Sequence, residues 1–461
     1  MHRHLLAAAA ALALATPAAA QDAAYQKQAR EIYAKLVSFR TAEGKGQVPA
    51  MAKYIVDTLK AGGVADADIT LLPSGETTAL LVRVPGRDAK AKPIMFNAHM
   101  DVVDARPEDW SRDPFTLVEE DGRFWGRGTQ DNKAGVTAMV STILRLKADK
   151  VQPRRTLVFA FVGDEETGMA TTRAVSQHTW IKGSEFAINT DAGGGGLGAD
   201  GKPIIYLIQG AEKTFATFEL TATNPGGHSS RPRKDNAIYD IVHALTKIEG
   251  YTFPAMATPL TRSYLGAVGK VTPGAAGQAL TAFSIDPTNA QAIAAISSSP
   301  QFIGTIRTTC VATMLEAGHA ENALPQKAKA TVNCRIFPGI AVADVQKTLT
   351  DLIADPKVKI EAIDDPQASP ISEMRPDVLA AITRSIHKRQ PGVPVSPYLE
   401  SGGTDGKVYR SAGIPTFASS GMFNPQDEMF AHGLNERIRV SAFYDALEHI
   451  HDLAVDLGGT R

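Results

Sequence analysis

"RTLVFAFVGDEETGM", residues 155–169, decides the fold. Leu157 to Val162 form an unbroken apolar run, and a run of that length without alternation reads as a strand buried on both faces. Such strands belong to mostly parallel sheets covered by helices. The run then meets Asp164, Glu165 and Glu166, three like charges at the exit of a buried segment. Something at that edge must make their crowding tolerable.

Working outward, the same texture recurs. "TTALLVRVPG" (77–86), "KPIMFNAHMDVV" (92–103) and "EFAINTDAG" (185–193) read as further strands. "AAYQKQAREIYAKLVSFR" (23–40), "VPAMAKYIVDTLKAGG" (48–63) and "KAGVTAMVSTILRLKAD" (133–149) read as amphipathic helices between or before them. This predicts an α/β domain with a mostly parallel central sheet and helices on both faces, whose sites lie at the carboxyl ends of strands.

After Gly210 the period changes. "TFATFELTATN" (214–224) alternates, "NAIYDIVHALTKIEGY" (236–251) is helical, two strands surround the cysteines, and "VADVQKTLTDLIA" (342–354) and "VKIEAID" (358–364) close a strand-helix-strand-strand-helix-strand order. That order predicts a small two-layer α+β lid or dimerisation domain inserted into the first. Residues 252–305, rich in Ala, Pro, Gly and Ser, read as a lid-like insertion with one helix near "NAQAIAAISSS" (289–299). The expected division is 21–209 and 367–461 for the catalytic domain, with 210–366 between them.

Arg3, the apolar stretch from Leu5 to Ala15 and "TPAAA" before Gln21 read as a cleaved secretory signal over residues 1–20, too short in its apolar part to span a bilayer. A secreted or periplasmic protein is expected. Its 48 basic residues against 49 acidic ones give no electrostatic reason to expect nucleic acid or an anionic membrane as partner. A small molecule or peptide is the better substrate class. Cys310 and Cys334, the two cysteines present, are too few for a thiolate metal site; they sit on neighbouring strands and read either as a cross-strand disulfide or as two buried thiols.

The chemistry gathers at strand and loop ends. His99 and Asp101 are two apart at the end of an apolar strand, so they share a face and read either as a metal ligand with its orienting partner or as a solvated pair at a strand end. Asp131 sits in a Gly-rich turn before a helix, and Asp191 at a strand end before four glycines. His432 precedes the last long helix. Taken singly, each has an ordinary reading: Asp131 as a helix cap, Asp191 as part of a flexible glycine loop, and His432 as a capping or surface histidine. Together, two histidines and three carboxylates, with Glu166 the third, form an N/O donor set suited to two zinc-like ions. Glu165, beside Glu166, then reads as the general base toward water whose pKa the metals lower.

"HMDVV", "GRGTQDNKAG", "GDEETG", "NTDAG", "NPGGHSSRP", "ENALP", "NCRIFPG", "SGGTDGK" and "AHGLNERI" occur in this order. Over roughly residues 30 to 455 the chain therefore resembles the dinuclear-zinc peptidases and amidohydrolases of metallopeptidase family twenty, and within it the carboxypeptidase S and N-acyl-amino-acid hydrolase branch. The resemblance implies that His99 and Asp191 hold one zinc and Glu166 and His432 the other, with Asp131 bridging and a cis peptide bond after it. Cobalt or manganese could substitute. Asp101 would orient His99, and Glu165 would be the base and later the proton donor to the leaving amine. His228, supplied by the lid of a second copy, would stabilise the oxyanion, which implies a homodimer through the lid domain. Asn322 and Arg335 would hold the substrate, and Gly402, Gly403 and Thr404 would line its pocket. Two departures, Asp104 where proline is common and the missing second glycine in "ETGMATT", touch loop shape and spare every presumed ligand.

The expected activity is metal-dependent hydrolysis of an amide bond next to a free carboxylate. A carboxypeptidase or dipeptidase comes first, an N-acyl-amino-acid deacylase second. A non-catalytic binding protein of the same fold would lack the base or a ligand, and all six are present.

Overall fold

The Leu157–Val162 strand owes its unbroken apolar run to two different cores. In the computed structural model, which describes residues 17–363, 366–425, 428 and 430–460, Leu157, Phe159 and Phe161 enter the larger core, while Val158, Ala160 and Val162 enter a smaller one on the opposite face. Alternate side chains on a strand point to opposite faces, so a strand covered twice must be apolar at every position. Residues 1–16 of the expected signal lie outside the described residues, and the first described helix begins at Pro17. Among the described residues no helix is long and apolar enough to cross a membrane.

The central sheet has ten strands. Its order runs Ile69–Ser74, Thr77–Val84, Leu157–Val162, Ile94–His99, Ala187–Asn189, Thr416–Ala418, Pro203–Glu212, Gly194–Leu197 and Phe423–Pro425, with Val395–Glu400 also pairing with Pro203–Glu212. The middle is parallel: Ile94–His99 lies between Leu157–Val162 and Ala187–Asn189 with all three running the same way. The Ile69–Val84 hairpin adds antiparallel strands at one side. Helices Pro17–Val37, Val48–Ala61, Lys133–Ala148, Pro376–Arg389 and Val440–Gly458 cover one face; Ala170–Gln177 and Gly406–Ser411 cover the other.

A second, four-stranded antiparallel sheet is ordered Thr309–Ala317, Lys327–Ile336, Thr214–Thr223 and Val358–Ile363. Ala216, Phe218 and Leu220 alternate inward with Ala330, Val332 and Cys334, and helices Ala237–Glu249 and Val342–Ile353 close over that face as a separate core. Cys310 and Cys334 are cross-strand partners and are joined by a disulfide. The insertion differs from its sequence reading. It holds three helices, Pro259–Val271, Gly274–Ile285 and Ala290–Ser297, around Leu265, Leu280, Phe283 and Ile296. Thr258 and Thr261 form a reciprocal cap with Pro259 in the first turn, a start signal hidden among small residues.

The last helix is tied back by buried polar contacts. His449 pairs through Nδ1 with Ser385 Oγ (2.9 Å) and through Nε2 with Ser419 Oγ (2.8 Å), and Ser419 meets the Tyr206 hydroxyl at 2.8 Å. Burial, helped by the Arg389 charge, pushes the His449 pKa down to about 3. Its folded pKa thus lies below the unfolded value of about 6.5, so the unfolded chain takes up the proton first and stability falls as the pH drops from about 6.5 toward 3. At pH 4.5 the loss from this one group is expected to be on the order of 3 kcal/mol. Denaturant titrations at pH 7 and pH 4.5 check this: the difference between the two should shrink by about that amount in His449→Gln, and an unchanged difference would dismiss the group as an acid-sensitive point.

Candidate metal centre and active site

The three carboxylates after the Leu157–Val162 strand separate in three directions. Asp164 turns back to the helix that follows and accepts from the backbone N–H groups of Ala170 (2.6 Å) and Thr171 (3.0 Å), the end of a helix where negative charge is favoured. Glu166 reaches the His432 imidazole, Oε1 to Nε2 3.0 Å. Glu165 is half-buried and feels the charges of Asp191, Asp405 and Glu166. Gly163 permits the turn, since a Cβ there would lie 2.5 Å from the Thr78 carbonyl oxygen.

His99, at the end of its strand and fully buried, stands between two carboxylates, Nε2 to Asp131 Oδ1 2.8 Å and to Asp191 Oδ1 3.1 Å. Its other nitrogen faces the Asp101 carbonyl oxygen at 3.0 Å and the Asp101 carboxylate at 3.5 Å. That carboxylate also accepts from the Glu166 backbone N–H at 3.0 Å, so Asp101 touches both sides of the site. Asp131 is the shared member: Oδ1 faces His99, and Oδ2 faces His432 Nε2 at 3.1 Å. The peptide bond between Asp131 and Asn132 is cis. His99, Asp131 and Asp191 form one group, and Asp131, Glu166 and His432 a second, each with its donor atoms within 4.8 Å of one another.

These residues fit a pair of divalent cations. Each group supplies one imidazole and two carboxylates, a donor set suited to zinc and its neighbours, and both groups use one oxygen of the same aspartate. Electrostatics agree. Burial opposes charge at Asp131, yet hydrogen bonds from His432 and His99 hold it well below the usual carboxylate range. Burial pushes Asp191 up to about 7. His432 rises to about 10 through its hydrogen bonds to Asp131 and Glu166. Burial would lower His99, but Asp191 with Asp101 and Asp131 holds it well above its ordinary value. A dication takes the place of such protons when it binds. Glu165 is pushed well up by burial, with Asp191, Asp405 and Glu166 adding to the effect.

Sequence reading left out the residues beneath this cluster. Glu436 is fully buried; Oε1 accepts from the N–H groups of Gln130 (2.6 Å) and Asp131 (3.0 Å), and Oε2 from Gly128 N–H (2.9 Å) and Arg127 (2.8 Å). It shapes the turn that presents Asp131, and it lies within "AHGLNERI", four residues after His432, so its motif pointed to it. Asp405, buried behind His99, accepts from Asn97 (2.8 Å) and is also bonded to Thr172. Partners behind a metal ligand commonly change affinity by about 10- to 100-fold. Glu436→Gln is therefore expected to weaken metal binding by about that factor. Competition with a chromogenic chelator measures it; undiminished affinity would mean the turn is held by other contacts.

The substrate candidates fall in two places. His228 and Asn322 meet on a short exposed ribbon: His228 pairs with Ala323, and Ser229 N–H donates to the Asn322 carbonyl at 3.0 Å. His228 Nδ1 lies 2.8 Å from Ser230 Oγ. Arg335, on the lid sheet, donates to the Ser401 carbonyl at 3.1 Å and stacks over Phe215. It thus adjoins the loop of Gly402, Gly403 and Thr404. Thr404 is buried, its hydroxyl donating to Glu212 at 3.0 Å. Asp104 forms two hydrogen bonds to Arg40 (2.7 and 2.8 Å), which fixes the loop after "HMDVV".

The sequence profile of Peptidase family M20/M25/M40 matches residues 95–456, spanning every donor above. The chain belongs to this family. As a member it is a metal-dependent hydrolase. Human N-fatty-acyl-amino acid synthase/hydrolase PM20D1 is 29% identical over 386 residues, 81% of this chain and 76% of that protein. A probable carboxypeptidase S-like 2 of Dictyostelium discoideum is 27% identical over 397 residues, 81% and 73%. Among solved structures, the M20 metallo-carboxypeptidase Sso-CP2 of Sulfolobus solfataricus superposes with a TM-score of 0.71 at 19% identity, covering 94% of this chain and 99% of that one. The M20 likeness at this identity concerns the fold, a central sheet with an inserted second layer.

Proposed function

We propose that this chain is an exported two-zinc amidohydrolase that releases a free amino acid from an N-acyl amino acid. The observation that carries the reading is Asp131 with one oxygen toward each imidazole, because a carboxylate so shared is what a pair of metals requires. Two cations held by His99, Asp131 and Asp191 and by Asp131, Glu166 and His432 would polarise the amide carbonyl and acidify water beside it. Zinc suits the donors, and cobalt or manganese could replace it. Glu165 takes the proton of the attacking water and later hands it to the leaving amine; a carboxyl pushed up by burial is suited to both transfers. Arg335 offers its planar fork to the substrate carboxylate. His228 of a second copy donates to the developing oxyanion, with Asn322 beside it.

Two observations favour an acyl over a peptidyl partner. Several relatives carry the name N-fatty-acyl-amino acid synthase/hydrolase. Between residues 252 and 305 the insertion holds only Arg262, Lys270 and Asp286 as charged residues, and its Tyr264 packs 6.0 Å from Tyr398, whose hydroxyl accepts from Gly193 N–H beside Asp191. A weakly charged wall suits a hydrocarbon chain. The carboxypeptidase S-like relatives support the second reading, a carboxypeptidase or dipeptidase. Hydrolysis of N-acyl leucines of increasing chain length, set against dipeptides, decides between them. Turnover rising with acyl length supports the deacylase, preference for dipeptides the peptidase, and failure on both with metal bound would end each reading. The signal-like pattern of the first twenty residues supports export, which N-terminal sequencing of the exported product tests: it should begin near Gln21.

An exposed apolar edge supports a homodimer. Thr309–Ala317 is an edge strand of the lid sheet, with Val311, Met314 and Leu315 between 60% and 69% exposed. The neighbouring helix exposes Tyr239 and Val242. An apolar edge with free backbone groups is a ready template for another strand, and a second copy would supply it. Leu315→Lys is expected to halve the mass in solution and, by separating His228 from its site, to remove most activity; an unchanged mass would place the contact elsewhere.

A further inference from the structure

The hinge where the chain leaves the central sheet for the lid carries a buried ammonium. Lys213 is 2% exposed, and its Nζ donates to the Arg307 carbonyl at 2.8 Å and the Thr309 hydroxyl at 3.4 Å, both neutral acceptors. No carboxylate lies within ion-pair distance of it among the described residues. Two buried arginines are matched by carboxylates, Arg127 by Glu436 at 2.8 Å and Arg410 by Glu212 at 2.6 Å, while Arg307 donates to the Phe253 carbonyl and the Ser297 hydroxyl, each at 2.7 Å. The other buried ammonium, Lys133, has the Glu436 charge acting on it. Burial pushes Lys213 down to about 7, and its charged neighbour is a like charge, Arg335, which adds to the effect.

Both residues border one short loop. Lys213 backbone N–H donates to the Glu400 carbonyl at 3.0 Å, and Arg335 donates to the Ser401 carbonyl at 3.1 Å. Thr309, which Lys213 touches, is the cross-strand partner of Arg335. Glu400, the acid of that loop, commits its carboxylate to the Tyr398 hydroxyl (2.6 Å) and the N–H groups of Ser401 (2.7 Å) and Gly402 (3.0 Å). Beside them Gly304 leaves a gap. A Cβ there would meet just two atoms within 4 Å, Lys213 Nζ at 3.4 Å and Ser401 Oγ at 3.8 Å. Two like charges beside one polar gap call for an anion between them.

We propose that Lys213 is a specificity-determining residue that, with Arg335, receives a carboxylate of the substrate's amino-acid half in the gap over Gly304. The inference rests on the amidohydrolase reading for its choice of ligand and adds a second cation to the one carried by the lid sheet. The carboxylate is either the α-carboxylate or that of an acidic side chain; the chemistry is the same, and the test separates the two.

Binding of L-leucine, L-glutamate and L-leucinamide to the full, zinc-loaded chain is measured by calorimetry, alongside hydrolysis of the matching N-acyl compounds. Wild type should bind the two acids and not the amide. Lys213→Met should weaken binding of the acids and raise KM by about 10- to 100-fold with little change in kcat, as expected for losing a charged hydrogen bond. Lys213→Arg should restore part of the loss, which a purely structural role at the Arg307 carbonyl would not produce. Gly304→Ala keeps the lysine, fills the gap with a methyl group and should act in the same direction, so the test survives if Lys213→Met fails to fold. Equal weakening for leucine and glutamate assigns the α-carboxylate; weakening for glutamate alone assigns the side chain. Acid binding unchanged in Gly304→Ala and in a folded lysine variant, or absent in wild type, overturns the proposal. Acid binding that depends on Lys213 in a protein inactive on every N-acyl compound would defeat the amidohydrolase reading and leave this inference standing.

Discussion

Glu165→Gln should reduce kcat by about 10³-fold or more while leaving both metals bound. Glutamine keeps the size of the side chain and removes its capacity to carry a proton, so the substitution isolates the transfer. The carboxyl sits where burial comes first and Asp191, Asp405 and Glu166 follow in favouring its protonated form. Such a group accepts a proton from water near neutral pH far more readily than an exposed glutamate would. Its neighbour gives the contrast. Glu166 faces His432 at 3.0 Å, so Glu166→Gln should lose metal along with activity. Metal content by elemental analysis beside single-turnover rates distinguishes the two. Glu165→Gln with full metal and near-normal rates would remove Glu165 as the base.

Much of this site was legible because its residues stand at strand ends. The period of Leu157–Val162 and Ile94–His99 required a sheet covered on both faces, and a sheet of that kind brings its strand exits to one edge, where His99, Glu165, Glu166 and Asp191 gather. What could not be read depends on contacts between distant segments. Glu436 holds the N–H groups of Gly128, Gln130 and Asp131, about 300 positions earlier in the chain, and no local period of the sequence carries that contact. Gly194–Leu197 forms a strand although glycine disfavours one, because Gly195 lets the Phe423 ring lie against the backbone: a Cβ there would be 2.0 Å from it. The helix near residues 289–299 was legible and is present as Ala290–Ser297, but the two before it were obscured by their small residues, whose weak apolar period shows only once Leu265, Leu280 and Phe283 are packed together. The cysteine pair stayed open for the same reason. Pairing needed the register Cys310 to Cys334, which a sequence does not fix.

Arg410→Met is expected to destabilise the fold by about 3 to 5 kcal/mol, the cost of leaving a buried charge without its partner. Glu212 and Arg410 are both essentially inaccessible to solvent and lie 2.6 Å apart at the point where the lid joins the central sheet. Glu212 ends the strand that leads out to the lid. Ser369, on the returning segment, lies 3.3 Å from Glu212 and 3.2 Å from Arg410, and its N–H donates to the Thr214 hydroxyl at 3.1 Å. Thr404 adds a further hydrogen bond to Glu212, joining the loop of residues 402–404 to the same knot. Both chain crossings and the loop beside Arg335 therefore depend on one ion pair. Replacing both members removes the charge and the need for it together, so Glu212→Gln with Arg410→Met should recover most of the stability lost by Arg410→Met alone. Urea denaturation of the two single variants and the double variant measures the coupling. If stability returns but KM for the acyl amino acid stays high, the ion pair serves mainly to set the angle at which the lid offers Arg335 to the substrate; if both return, its role is confined to holding the fold.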